Sequence, residues 1–327
     1  MKCNICPFYC NLEENSIGLC NVIYSRGRKI ANLASKYAKV QITEVEETGF
    51  FHFYPGNKVA YIYQPGCNLK CLFCKKWSYH YYSPPIDGKE EYARIRQLIN
   101  SKKISCVIFS CSILFDIEKI RQYKQLGTHA GAITFGVFTS NYLKELIKNL
   151  DAILVQFLGF SNDSYRRVTI FSKGIDYAKR SVEIIYDAGK HLEVSYIIIP
   201  GVSDDVNLIN EFATWLGEID KDVPLHFRRF YPAMYLANKA PTRTKLLKQA
   251  YNIAKRKGLK FVYIDDLFED TARNTICPND GTTIIERVGR DIAVYLKEDS
   301  TCPACGSKIP ILGQFKSTLK KSKLKFL

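Results

Sequence analysis

No apolar run in this 327-residue sequence is long enough to cross a membrane. Its opening, MKCNICPFYC, also lacks the apolar core and small-residue cleavage site of a secretory signal. A cytoplasmic, reducing compartment is therefore expected, with no membrane partner. Acidic residues are scarce too: 32 Asp and Glu stand against 47 Lys and Arg, a formal charge of +15. That balance favours polyanions, which makes RNA a compatible partner, although a lysine-rich solvated surface of the thermophile kind accounts for it equally. With 46% hydrophobic and 24% charged residues, a disordered or fibrous chain is excluded. The length allows one full core plus smaller modules.

Cysteine, by contrast, is abundant. Twelve of them in a reducing compartment imply metal rather than disulfides, and they are clustered. Cys67, Cys71 and Cys74, in GCNLKCLFCKKW, follow a short apolar run and Pro65-Gly66, so they fall on a loop after a strand. Three thiolates are one short of the four that a [4Fe-4S] cube or a closed zinc site takes. A cube would thus keep one iron open for a cofactor, whereas zinc would need a ligand from elsewhere. Cys3, Cys6, Cys10 and Cys20 supply a full set of four, suited to zinc or to an auxiliary iron-sulfur cluster. Zinc is favoured there, because a module too short to bury a core gains its folding energy from the metal. Near the C-terminus, Cys277 in CPNDG and Cys302 with Cys305 in CPACG form the two turns of a zinc ribbon, with Asp280 where a second cysteine is expected. A carboxylate is an acceptable zinc ligand; a metal-free remnant held by its core is the other reading. Cys106 and Cys111 read as small apolar residues in or next to a strand, Cys111 lying nearer the proposed site.

Short β-branched runs at 59–63, 104–110, 133–139, 152–157, 192–199, 225–230 and 260–264 alternate with amphipathic stretches at 90–100, 117–126, 143–149, 175–188 and 208–219. This α/β repeat predicts an incomplete (β/α)6-type parallel barrel over 46–270, preceded by a Cys-rich module at 1–45 and followed by a zinc-ribbon-like module with a basic tail at 271–327. The tail, FKSTLKKSKLKFL, is expected to be solvated. Ligands of such sheets bind beyond the carboxyl ends of the strands. That places Ser110, Cys111, Thr139 to Asn141, Gln156, Pro200 to Val202 and His226 to Arg229 near the site, Ser140 and Asn141 being equally good helix caps. A lone histidine, His52, is expected to be a satisfied core residue.

The loop YIYQPGCNLKCLFCKKW, with Phe73 before the last cysteine, resembles the radical S-adenosylmethionine (SAM) superfamily. The resemblance implies a [4Fe-4S] cluster on Cys67, Cys71 and Cys74 whose open iron takes the amino and carboxyl groups of SAM, an electron donor such as ferredoxin or flavodoxin, and a 5′-deoxyadenosyl radical that abstracts hydrogen. The N-terminal cysteines, HFYPG, DSYRRVT, IIIPGVSDD, PLHFRRFYP, GLKFVYI and the terminal CPND-to-CPACG are similar, in order and separation, to the AmmeMemoRadiSam-system radical SAM enzymes, themselves similar to pyruvate formate-lyase activating enzymes. By that resemblance Ser110, Asn141, Pro200 and Gly201 hold SAM, Memo-like and AMMECR-type proteins are partners, and the substrate is a protein or an RNA. Three departures stand out: FSCSILF replaces an acidic YNEPT-type phrase, VQFL with Gln156 and Leu158 replaces a VDLK-type phrase, and the ribbon lacks one cysteine. They support an alternative, a non-catalytic iron-sulfur or zinc scaffold subunit, against which stands the retention of all three cluster ligands. No general acid or base is assigned.

Overall fold

The computed structural model describes residues 1–27, 29–32, 39–78, 88–267 and 271–318. The residues of the basic tail beyond 318 lie outside that set. A hairpin of β1 (Ile23–Arg26) and β2 (Lys29–Asn32) belongs to the N-terminal module. The main sheet has eight strands: β3 (Lys39–Glu44), β4 (Lys58–Gln64), β5 (Cys106–Cys111), β6 (His129–Thr134), β7 (Ala152–Phe157), β8 (His191–Ile198), β9 (Leu225–Arg229) and β10 (Val262–Ile264). They lie side by side in chain order, all parallel except β3, which runs antiparallel to β4 along one edge. β3 was not foreseen. A three-stranded antiparallel sheet of β11 (Thr275–Ile276), β12 (Thr283–Val288) and β13 (Asp291–Val294) forms the C-terminal module. The expected open α/β architecture with a parallel sheet is thus present, and residues 39–44, read as part of the Cys-rich stretch 1–45, form an edge strand of that sheet.

Helices α1 (Val45–Thr48), α2 (Gly88–Asn100), α3 (Ile117–Lys124), α4 (Ser140–Ile147), α5 (Asn162–Val168), α6 (Gly174–Asp187), α7 (Val206–Ile219) and α8 (Thr244–Arg256) connect the strands. Several start on side-chain caps placed beyond strand ends: Asp116 accepts from the Lys119 amide, Thr139 from Tyr142, Ser161 from Ser164 and Asp205 from Asn207. Helix α8 carries an apolar face of Leu247, Ala250, Ile253 and Ala254, and it too was missed.

The strand expected at 133–139 lies instead at His129–Thr134. Its sequence, HAGAIT, is poor in β-branched residues because the site is crowded: a Cβ on Gly131 would sit 3.1 Å from the Phe53 ring and 3.3 Å from Ile108. The more hydrophobic 135–138 segment becomes the loop above the strand.

A buried polar group joins the sheet to the C-terminal module. Glu193 accepts the amides of Phe51 and His52, both at 2.9 Å, and pairs with His226 at 2.8 Å. The other nitrogen of His226 meets Asp265 at 2.7 Å. His52 is buried and bonded to Tyr263 at 2.7 Å and to the Pro310 carbonyl, a satisfied core residue as expected. Burial pushes His52 down to about 3 and keeps it neutral. Phe51, Phe261 and Tyr263 then pack with Cys277, Ile284 and Ile309 in one core, so the loop before β4 and the edge strand β10 are bound to the same module.

Burial alone would push His226 down, but Asp265 and Glu193 outweigh it and hold the imidazole up at about 9. A value above the ordinary 6.5 means that the stabilisation is complete below about pH 6.5 and fades as pH rises through about 9. The melting temperature should therefore fall across that window, and His226→Asn should flatten the fall. Glu193→Gln leaves the buried imidazolium with Asp265 as its one carboxylate partner and should lower stability in urea denaturation by about 3 kcal/mol, because one side of a buried pair is lost.

Candidate active site

The cysteine loop is fixed from every side. The Cys67 amide donates to the Cys20 carbonyl at 3.2 Å, and Leu72 donates to Val168 at 2.9 Å. Ile170 donates to Leu69 at 3.2 Å, and Tyr235 to Leu72 at 3.0 Å. The Asn68 amide donates to Val137 O at 2.7 Å, and the Ser112 hydroxyl to Pro65 O. Gly66 makes the turn into the loop with φ +92°; a Cβ there would lie 2.4 Å from Val22 and 2.8 Å from the Cys20 carbonyl. Glycine is required on both counts. The phrase DSYRRVT now has a physical role, since its helix α5 ends at Val168 and braces the loop.

Cys67, Cys71 and Cys74 line one cavity of about 390 Å³ at the carboxyl ends of the strands. Burial pushes the Cys67 thiol up to about 12 and Cys71 well above its ordinary value, and neighbouring cysteines push both further. Three half-buried thiols gathered on one loop at one cavity wall are soft donors of the kind that an iron-sulfur cluster takes. The donor set fits the group. Burial raises the nearby Tyr165 hydroxyl, and Cys71 acts on it in the same direction. Aromatic walls come from Phe73, Phe135, Phe138 and Phe230.

Of the residues expected near SAM, Ser110 lines the cavity, as do Cys111 and Gln156. Asn141, in the first turn of α4, and Gly201, in the turn after β8, are exposed, while Pro200 is half-buried; among the described residues the cavity lining excludes all three. Cys111 closes β5 with φ +64°, and Cys106 is fully buried in the core. Leu158 is buried as well. Tyr61, Lys76, Glu47 and Asp266 also line the cavity, and none of them was given a place there from the sequence. The period of two along β4 could have found Tyr61, because residues 61 and 63 share a strand face.

The N-terminal cysteines influence one another electrostatically, but among the described residues their sulfurs are not gathered as a metal-type donor set. Cys3, Cys6 and Cys20 are buried, Cys10 is half-buried, and burial with mutual repulsion pushes Cys6 up to about 12. The module docks on the barrel through the Thr139 hydroxyl and amide, which donate to Asn4 O at 2.6 Å and to Ile5 O at 3.1 Å. At the other end, ligand atoms of Cys277, Asp280, Cys302 and Cys305 all lie within 4.8 Å of one another. The two turns are built alike: Gly281 donates to Cys277 O and Gly306 to Cys302 O, both at 3.0 Å. Backbone amides from Cys305 hold the Cys302 thiol below its ordinary value. That is a tetrahedral-type donor set with carboxylate in the fourth place.

Residues 61–212 match the Radical SAM superfamily. An uncharacterized protein of Methanocaldococcus jannaschii is 29% identical over 335 residues, which cover 95% of this chain and 96% of that protein. Among solved structures, a radical SAM methyltransferase from Sphaerobacter thermophilus superposes with a TM-score of 0.50 at 12% identity, over 68% of this chain and 71% of that one. A domain of a pyruvate-formate lyase-activating enzyme from Bacteroides vulgatus matches at a TM-score of 0.37 and 14% identity, over 46% and 89%. The stretch similar to the Radical SAM superfamily thus contains the cysteine loop. No helix among the described residues is long and apolar enough to cross a membrane.

Two outcomes follow from this geometry. Gly66→Ala should halve iron incorporation or worse, read as iron per chain after anaerobic reconstitution. Zinc-supplemented protein treated with a chelator should lose thermal stability, and Cys302→Ser should show the lower stability before treatment, with zinc content read by elemental analysis.

Proposed function

We propose that this chain is a divergent AmmeMemoRadiSam-system radical SAM enzyme, which cleaves SAM and abstracts hydrogen from an unactivated C–H bond of a protein or RNA substrate. The observation that carries the reading is the placement of Cys67, Cys71 and Cys74, all half-buried, on a braced loop facing a cavity large enough for a cofactor. In this reading Cys67, Cys71 and Cys74 ligate the cluster, while Ser110, Asn141 and the Pro200-Gly201 turn hold SAM. When bound, the reduced cluster supplies an electron to SAM, whose carbon-sulfur bond breaks to give methionine and a 5′-deoxyadenosyl radical.

Everything else is the chain's own work. The backbone bonds from Val168, Cys20 and Tyr235 set the thiol positions, and Phe73, Phe135, Phe138 and Phe230 keep water from the reacting centre. Hydrogen-atom abstraction needs no proton transfer, so no side chain serves as acid or base. A ferredoxin or flavodoxin delivers the electron, and Memo-like and AMMECR-type proteins are the partners that the resemblance supports, in the cytoplasm. Zinc occupies the Cys277, Asp280, Cys302, Cys305 set, and zinc or an auxiliary cluster the Cys3, Cys6, Cys10, Cys20 set.

The test is anaerobic reconstitution with iron and sulfide, reduction with dithionite, and chromatographic assay of 5′-deoxyadenosine. Wild-type protein should form it; Cys71→Ala should form none; Ser110→Ala should raise the SAM concentration needed by a few-fold, as loss of one hydrogen bond does. An intact, reducible cluster without any product would establish the scaffold reading instead.

A further inference from the structure

Lys76 lies two residues beyond the last cysteine of the loop, on the cavity wall. Its ammonium donates to the Tyr61 hydroxyl at 2.7 Å, and that hydroxyl is 2.7 Å from the Ser110 hydroxyl at the end of β5. The same ammonium is 4.4 Å from the centre of the Tyr61 ring and 4.0 Å from that of Tyr63. Of the other charged groups on the cavity, Lys75 lies over the Tyr231 ring at 3.7 Å and Lys70 donates to the Asn21 side chain at 3.3 Å. Arg228 meets Asp265 at 3.4 Å, Glu47 meets Arg290 at 3.4 Å, and Asp266 accepts the Arg229 amide at 2.8 Å. The Arg229 guanidinium bonds Thr242 and Thr244. No carboxylate among the described residues pairs with Lys76.

Two ring faces and a phenol dipole hold a cation by less than a half-desolvated ammonium loses on leaving water. An ammonium has three donors, and Tyr61 takes one. Beside the Cys74 and Cys111 thiols, the ammonium keeps donors with which it can bond an oxyanion in the cavity. The carboxylate of SAM does not fill that place, because the open iron takes it in the reading above. We propose that Lys76, backed by the Tyr61 and Ser110 hydroxyls, is the recognition subsite for an oxyanion, a carboxylate or a phosphate, carried by the substrate. The proposal rests on that functional reading, since it needs the cavity beside the cluster loop to admit substrate.

Reconstituted wild-type, Lys76→Gln and Lys76→Arg proteins, each saturated with SAM, are titrated anaerobically by calorimetry with inorganic phosphate and, separately, acetate. Iron content and the SAM-induced change in the electron paramagnetic resonance spectrum are read on the same samples. At least one anion should bind wild type, bind about tenfold more weakly to Lys76→Gln and recover in Lys76→Arg, with SAM affinity changed less than twofold. Binding of phosphate alone assigns a phosphate-bearing substrate, and binding of acetate alone a carboxylate. Equal anion binding by wild type and Lys76→Gln overturns the proposal, and so does a tenfold loss of SAM affinity, which would make the oxyanion that of SAM itself. Should Lys76→Gln fail to take up iron, Tyr61→Phe replaces it, with a several-fold loss of anion affinity expected and unchanged affinity again overturning the proposal. Failure of the functional reading shows separately, as wild-type protein without a cluster or without a spectral response to SAM.

Discussion

The structure depends on how one loop is gripped. Residues 66–74 carry three thiols that repel one another as they ionise, on a segment with no regular hydrogen bonding of its own. Left to itself such a loop would splay. Instead its backbone is bonded to Cys20, Val168, Ile170 and Tyr235, and its side-chain partners reach Val137 and Ser112. These contacts come from the N-terminal module and from segments beyond β5, β6, β7 and β9. The barrel is a frame that delivers them to one place, and the order of its strands follows from that task.

The open side of the frame is handled by charge rather than by another strand. Glu193, His226 and Asp265 tie β8, β9 and the end of β10 together, and Glu193 also fixes the two amides of Phe51 and His52 ahead of β4. Arg287 of the C-terminal module adds a bond to the Phe51 carbonyl at 2.9 Å and stacks its guanidinium 4.1 Å from that ring. Buried ion pairs add little net stability but specify one arrangement strongly when every partner is satisfied. Here they fix how the cysteine-bearing module seats against both edges of the sheet. The chain from Glu193 through His226 and Asp265 ends at Arg228, which lines the cavity, so the same group that closes the barrel also positions a wall of the site.

Much of this was legible in the residues. The C-terminal spacing announced the Cys277, Asp280, Cys302 and Cys305 group, and β7 lay at the residues expected because AILVQF is apolar and β-branched. Where reading failed, packing had overridden pattern. β6 is built from Ala130, Gly131 and Ala132, which look like a turn until the Phe53 ring is placed against them. Lys76 reads as one more surface lysine among many, and only the facing rings of Tyr61 and Tyr63 distinguish it. Asn141, Pro200 and Gly201 came from resemblance, and the cavity shape gives them no support of its own. The Glu193 network left no trace in the sequence, since its members are separated by more than thirty residues and meet only across strands.

The central claim is that Cys67, Cys71 and Cys74 hold a cube with one iron that the protein does not ligate. Mössbauer spectroscopy of protein reconstituted with 57Fe tests it most directly. The account predicts a [4Fe-4S] spectrum in which one of the four irons, and no other, shifts when SAM is added. Four irons that respond alike, or protein that assembles no cluster, would contradict it.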